Sequence, residues 1–89
     1  MKTAILTDSG SNLSQEFINK HDNLFVVPLM ILVDGKEYRD GLEISPDQVY
    51  QQLDDHEVKT SLPLLSDFHE TVKEIKEKGY THVLVINIS

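Results

Sequence analysis

Short apolar segments alternate with helical patterns along this chain, and that alternation restricts its fold more than any other feature. A strand is predicted at Thr3–Leu6, and the polar loop Thr7–Ser11 ends it. A helical pattern follows over Asn12–Lys20, and further apolar runs occupy Leu24–Leu29 and His82–Ile88. Strands that alternate with helices pack as a parallel sheet covered by helices. The sequence therefore predicts an α/β fold with a parallel, three-layer sheet.

A β-hairpin is predicted in the middle of the chain. Pro28 cannot donate to a strand ladder and therefore marks a strand end or an edge. The extended run Met30–Val33 continues to Asp34-Gly35, and the return strand is Lys36–Arg39. Asp-Gly between two extended runs is a strong signal for a two-residue turn.

Two helices are predicted after the hairpin. Ser45 begins the first as a capping residue, Gln48 completes a capping box, and the helix ends near Asp55. Glu57–Ser61 is expected to be a connection, and the second helix to run over Leu64–Lys78. Asn12 is the expected cap of the earlier helix, so the predicted order is β-α-β-hairpin-α-α-β. The side chains expected to face the core are Val49, Tyr50, Leu53, Leu65, Phe68, Val72 and Ile75.

Length and charge exclude several classes of function. The chain has 89 residues, which is one small domain over 1–89, and a formal net charge of −7. Such a charge disfavours nucleic acid and anionic membrane surfaces as partners. The chain has no cysteine, which fits the cytoplasm, and no apolar run near the roughly 20 residues of a membrane span. Because it stops as a strand ends, we expect a fragment of a longer protein.

Two polar segments are candidate binding sites. Asp8 and Ser9 follow the first strand, where α/β sheets bind ligands, but such residues also form ordinary turns. An Asp8 phosphotransfer site is a further alternative, although Gly10 stands where a second acid would be needed. Thr60 and Ser61 can donate hydrogen bonds to an oxyanion or act as turn residues. The four histidines lack ligand spacing, so no metal or cofactor is expected.

The run Pro28–Val33 is apolar beyond the needs of a simple hairpin. It either lines a pocket for an apolar ligand or is a strand covered on both faces by core. Both interpretations remain open from the residues alone.

The ordered set of these segments resembles the DegV family. The family begins with a strand and a Thr-Asp-Ser loop, continues with a Val-Val-Pro-Leu strand and a Gly, Tyr and Asp hairpin, and then has Ile-Ser and Thr-Ser-x-Pro segments. The matching residues here are Thr7-Asp8-Ser9, Val26–Leu29, Gly35, Tyr38, Asp40, Ile44-Ser45 and Thr60–Pro63. The resemblance spans nearly the whole chain and implies the N-terminal lobe of such a protein.

The resemblance implies a carrier of long-chain fatty acids that is not an enzyme and that presents its ligand to a fatty-acid kinase. The carboxylate role carries over to Thr60, with Ser61 beside it, while Asp8 and Ser9 support the neighbouring loop. Leu29, Ile31 and Leu62 are the expected lining of the acyl chain. The alternative is a small acidic α/β module that binds another protein.

Two departures from the family pattern concern the site. Leu62 and Leu64 stand where family members commonly have Gln and Ser. The family also continues past the last strand into a Ser-rich loop that touches the carboxylate, and Ser89 lies at the threshold of that loop.

Overall fold

The computed structural model describes residues 2–88 and divides the strands into two three-stranded sheets. Ser89, at the threshold of the expected Ser-rich loop, lies outside the described residues. The strands are β1 (Thr3–Asp8), β2 (Leu24–Val27), β3 (Met30–Val33), β4 (Lys36–Arg39), β5 (Val58–Ser61) and β6 (His82–Ile86). The helices are α1 (Gln15–Asn19), α2 (Pro46–Gln52) and α3 (Leu65–Glu77).

The parallel sheet has the order β2-β1-β6 and holds the hydrophobic core. Parallel strands are joined by crossover connections, and here helices occur in both crossovers. Phe68 and Val72 of α3 pack on the core, and Ile75 of the same helix is 1% exposed. The α/β class and the parallel sheet are thus confirmed. The buried core residues are Ala4, Leu6, Phe25, Val27 and Ile75.

A second, antiparallel sheet has the order β4-β3-β5 and was not expected from the sequence. The hairpin of β3 and β4 is present in the predicted register, with Val33 opposite Lys36. β2 ends at Val27, before Pro28, which has no N–H for a ladder. The predicted hairpin is confirmed, and the strands after Pro28 pair among themselves, so the α/β fold contains an antiparallel sheet in addition to the parallel one.

The prediction of a connection over Glu57–Ser61 is wrong. Val58–Ser61 forms β5, which pairs with β3 along its whole length. Its sequence, Val-Lys-Thr-Ser, has one apolar residue and mostly exposed side chains. Backbone hydrogen bonds to β3 hold this strand, so its side chains carry little periodic signal.

Capping residues define where the helices begin. Ser45 and Gln48 form the predicted capping box of α2, which ends at Gln52. Asn12 does not cap α1. It has a left-handed φ of 54° and closes a short 3-10 turn over Ser9–Ser11. Ser14 caps α1 instead, since its side chain accepts a hydrogen bond from Phe17 N.

Three side chains expected in the core are exposed. Tyr50 and Leu53 of the α2 region lie mostly in solvent. Leu65 shares the sequence spacing of Phe68 and Ile75 but, as the first residue of α3, is 81% exposed. Helical periodicity identifies a face without showing how far the neighbouring layer extends along it.

The turn between β3 and β4 yields a pH prediction. Asp34 accepts hydrogen bonds from the His56 ring and from Glu57 N, and these bonds lower its pKa. A carboxyl group with a lowered folded pKa stabilises the fold above its ordinary pKa, and that contribution is lost as the pH falls through the folded value. Asp34→Asn should therefore flatten the fall in melting temperature below about pH 4.

This substitution isolates the charge, because Asp34 has φ 52° and Asn tolerates the left-handed region. Melting curves of both proteins from neutral to acidic pH test the prediction. Parallel curves for the two proteins would show that Asp34 contributes nothing to the acid sensitivity.

Candidate functional site

Asp8 connects the chain segments that leave β1 and β6. Its carboxylate is 3% exposed. One oxygen accepts a hydrogen bond from Gly10 N at 2.8 Å, and the other accepts one from Ile88 N at 3.2 Å. A Cβ atom at Gly10 would lie 2.8 Å from Asp8 Oδ1, so the close turn requires glycine. The carboxyl ends of two adjacent parallel strands are thereby held together.

Ser9 connects the same loop to the antiparallel sheet. Its hydroxyl donates to Asp40 Oδ2 at 2.8 Å and accepts from Leu29 N at 2.9 Å. Leu29 precedes β3, and Asp40 follows β4. The Ser9 side chain therefore joins the loop after β1 to the residues at which the chain enters and leaves the hairpin.

Thr60 and Ser61 are the last two residues of β5. They lie opposite Ile31 and Met30 of β3, respectively. Both residues are exposed, so their hydroxyl groups are accessible to a ligand. Hydroxyl groups at the end of a strand can donate hydrogen bonds to an anionic oxygen.

A partly open, mainly apolar pocket of about 290 Å³ adjoins the end of β5. Leu62, which directly follows Thr60-Ser61, is 70% exposed. We call this cavity the apolar pocket. Its lining residues are Asp8, Val27, Leu62, Pro63, Leu65, Phe68 and Asn87. The pocket brings Leu62 and Asp8 together, and it lies at the carboxyl end of the parallel sheet, where α/β folds bind ligands. Thr60 and Ser61 precede Leu62 in the chain but are not among the lining residues.

The other two expected lining residues lie elsewhere. Leu29 and Ile31 are buried and do not line the apolar pocket. The Leu29 side chain packs near Gly10, and Ile31 lies in register with Thr60. Leu29 thus contacts the loop after β1, and Ile31 holds β5 by strand pairing.

The sequence did not indicate that α3 contributes side chains to the apolar pocket. Leu65 and Phe68 line the apolar pocket, although both were expected in the core. Leu64 occupies the N-cap position of α3 without a side-chain hydrogen bond. The available signal was the presence of large apolar side chains, Leu62 and Leu65, on both sides of Pro63. Exposed apolar side chains of this kind concentrate at ligand and partner surfaces.

An ion pair joins the antiparallel sheet to helix α3. Arg39 Nε lies 2.8 Å from Asp67 Oδ2, and Arg39 Nη1 lies 3.3 Å from Glu43 Oε1. The hydrogen bonds and charge of Asp67 raise the pKa of Arg39 above its ordinary value. No local sequence pattern indicates this pair.

A second cavity of about 390 Å³ lies beside Ser9 and Ser11, away from the hydroxyl pair. Val26 lines it, whereas the neighbouring Val27 lines the apolar pocket. Successive strand residues point to opposite faces of a sheet, so the two cavities lie on opposite faces. Across residues 2–88, no three acidic or histidine side chains are grouped to hold a metal ion, and no helix could cross a membrane.

Curated relatives are similar to nearly the whole chain. A DegV domain-containing protein of Clostridium acetobutylicum is 40% identical over 88 residues, which cover 99% of this chain and 31% of that protein. A DegV domain-containing 15.5 kDa protein of Staphylococcus aureus is 39% identical over 89 residues, 99% of this chain and 62% of that protein. The chain spans about a third of the length of most curated relatives it matches.

Solved structures share the fold. A stearic acid-binding protein of Eubacterium ventriosum superposes with a TM-score of 0.84 at 36% identity, covering 98% of this chain and 30% of that one. A fatty acid-binding DegV family protein of Thermus thermophilus gives a TM-score of 0.81 at 33% identity, covering 100% of this chain and 32% of that one. The family model described as "Uncharacterised protein, DegV family" matches residues 2–89. The chain therefore belongs to the DegV family.

Proposed function

We propose that this chain supplies the carboxylate-binding side of a carrier for long-chain fatty acids. The observation that carries the proposal is that Leu62, which lines the apolar pocket, directly follows the exposed hydroxyl pair Thr60-Ser61. A fatty acid needs hydrogen-bond donors for its head group and apolar surface for its chain. The description of solved family members as fatty-acid-binding proteins supports the same ligand class.

Each site residue has a distinct proposed role. Thr60 donates to the carboxylate. Ser61 is the weaker candidate for a second donor, because successive strand residues point to opposite faces of a sheet. Leu62 contacts the first carbons of the acyl chain, together with Leu65 and Phe68 of α3. Leu29 and Ile31 do not line the apolar pocket, so we propose an indirect part for them: Leu29 packs near Gly10, and Ile31 pairs with Thr60.

Asp8 and Ser9 are proposed to support the site without touching the carboxylate. Both Asp8 oxygens already accept backbone hydrogen bonds, and its negative charge repels an anionic head group. Ser9 bridges Leu29 and Asp40. These bonds hold the loop after β1 in place beside the apolar pocket.

Hydroxyl donors suit a carrier whose ligand must remain reactive. They orient a carboxylate without the strong, charge-assisted pairing that an arginine would provide. A carboxylate held in this way at an exposed strand end is open to a phosphorylating partner. We therefore propose that the protein presents the fatty acid to a kinase and performs no chemistry itself. The cytoplasmic location and the single domain over 1–89 stay predictions.

One alternative has structural support and one does not. Side chains on both faces of β6, from Val83 to Ile86, are exposed, which suits a protein-interaction module. Nothing supports phosphotransfer by Asp8, which is 3% exposed and has Gly10 where a second acid would be needed. We therefore keep the interaction module as the second candidate.

Calorimetric titration with octanoate and octan-1-ol at neutral pH distinguishes these functions. The proposal predicts that octanoate binds about tenfold more tightly, because a hydrogen bond to a charged group contributes about 1.5–3 kcal/mol. Equal affinities would indicate a nonspecific apolar surface. No heat with either ligand would contradict the proposed site on this chain.

A further inference from the structure

Arg39 is bound by two acidic side chains that belong to different parts of the fold. Its Nε and Nη2 atoms donate to the two Asp67 oxygens at 2.8 and 3.1 Å. Its Nη1 atom donates to Glu43 Oε1 at 3.3 Å. Two parallel bonds from a planar guanidinium fix direction as well as distance. The Asp67 contact is therefore geometrically specific.

The Asp67 contact connects the antiparallel sheet, which carries the proposed hydroxyl donors, to α3, which lines the apolar pocket. Arg39 lies opposite Met30, and Met30 lies opposite Ser61 on its other side. Arg39 and Ser61 thus occupy the same level of the antiparallel sheet. Asp67 lies in the first turn of α3, the helix that carries Leu65. The ion pair therefore joins the sheet of the hydroxyl donors to the helix of the apolar wall.

The environment makes this link stronger than a surface ion pair. The side chain of Asp67 is 18% exposed, and that of Arg39 is 37% exposed. Exposed pairs contribute little, whereas partly shielded and bidentate pairs retain their attraction. Glu43 follows β4 within the same part of the fold, so its bond to Arg39 does not reach α3.

We propose that Arg39 is a positioning residue that acts through Asp67 to align the apolar wall with the hydroxyl donors. This inference rests on the proposed fatty-acid site and adds the ion pair that fixes the position of α3 relative to the antiparallel sheet. A carboxylate held at Thr60 directs its acyl chain along Leu62 towards Leu65 and Phe68. Only a fixed α3 keeps that surface in line with the chain.

The dependence of affinity on chain length reports this alignment. Each CH₂ group that is fully buried raises affinity about fourfold. A misaligned wall buries fewer CH₂ groups, so affinity rises less steeply from hexanoate to octanoate to decanoate. A loss of folded protein would instead weaken all three acids by the same factor.

Titration of the three acids into the Asp67→Asn protein tests the proposal, with Glu43→Gln as the matched control. Glu43→Gln also removes one negative charge beside Arg39, yet it leaves the link to α3 intact. We expect the affinity gain per CH₂ group to fall to about half of its wild-type value in Asp67→Asn and to stay unchanged in Glu43→Gln. Arg39→Lys retains the charge without the bidentate geometry, and we expect an intermediate gain.

Three results would overturn the proposal. An unchanged gain per CH₂ group in Asp67→Asn would show that the ion pair is only structural, and an equal reduction in Glu43→Gln would assign the effect to charge alone. If Asp67→Asn does not fold, an unchanged gain in Arg39→Lys has the same meaning. If the wild-type protein binds none of the acids, the proposed function fails together with this inference.

Discussion

Replacing Ile75 with alanine is expected to lower the free energy of unfolding by about 2–5 kcal/mol, which is the range for truncating a large buried aliphatic side chain. Ile75 is 1% exposed and is the one buried residue of α3 within the described chain. It packs in the core with Leu6 and Phe25 of the parallel sheet. The loss is a large part of the stability of so small a domain. Urea denaturation followed by circular dichroism measures it.

Leu65→Ala is the matched control on the same helix. Leu65 is 81% exposed and lines the apolar pocket, so we expect a stability change within about 0.5 kcal/mol. Octanoate affinity should nevertheless fall, because acyl contact area is lost. A large loss of stability in Leu65→Ala, or none in Ile75→Ala, would contradict the described packing of α3.

Thr60→Val should weaken octanoate binding by about tenfold or more, since a hydrogen bond to a charged group contributes about 1.5–3 kcal/mol. Valine has nearly the same shape as threonine and suits a β-strand, so β5 should remain intact. Octan-1-ol affinity should change much less than that of octanoate. Calorimetric titration of both ligands separates loss of the donor from loss of the strand.

Ser61→Ala provides the comparison for Thr60→Val. Ser61 supplies the second donor in the proposed site, so its removal should cost less octanoate affinity than the removal of the Thr60 hydroxyl. An unchanged affinity in Thr60→Val would remove Thr60 from the site. A larger effect at Ser61 would exchange the two roles.

Features set by local chemistry were predicted from the sequence. The Asp34-Gly35 turn has positive φ at both residues, as the Asp-Gly pair indicated. The capping box of Ser45 and Gln48 is also confirmed. Each depends on residues adjacent in sequence. By contrast, β5 depends on its pairing with β3, so a polar strand such as Val58–Ser61 was interpreted as a connection.

The candidate site was predictable only in part. The sequence indicated Thr60, Ser61 and Leu62 as candidate site residues, and the structure places Leu62 in the lining of the apolar pocket. Leu65 was assigned to the core although it is 81% exposed, because helical periodicity does not show how far the core extends along a helix. The Arg39–Asp67 pair joins residues 28 positions apart, and no local pattern indicates such a contact. Long-range contacts of this kind become visible only after the antiparallel sheet and α3 are placed together.

A residue-resolved titration of the isotopically labelled protein with octanoate, followed by ¹H–¹⁵N nuclear magnetic resonance, tests the central claim most directly. The proposed site predicts that the largest shift changes occur at the amides of Thr60, Ser61, Leu62 and Leu65. Octan-1-ol should shift Leu62 and Leu65 and leave Thr60 nearly unchanged. Octanoate shifts confined to the second cavity, around Ser11 and Val26, would contradict the account.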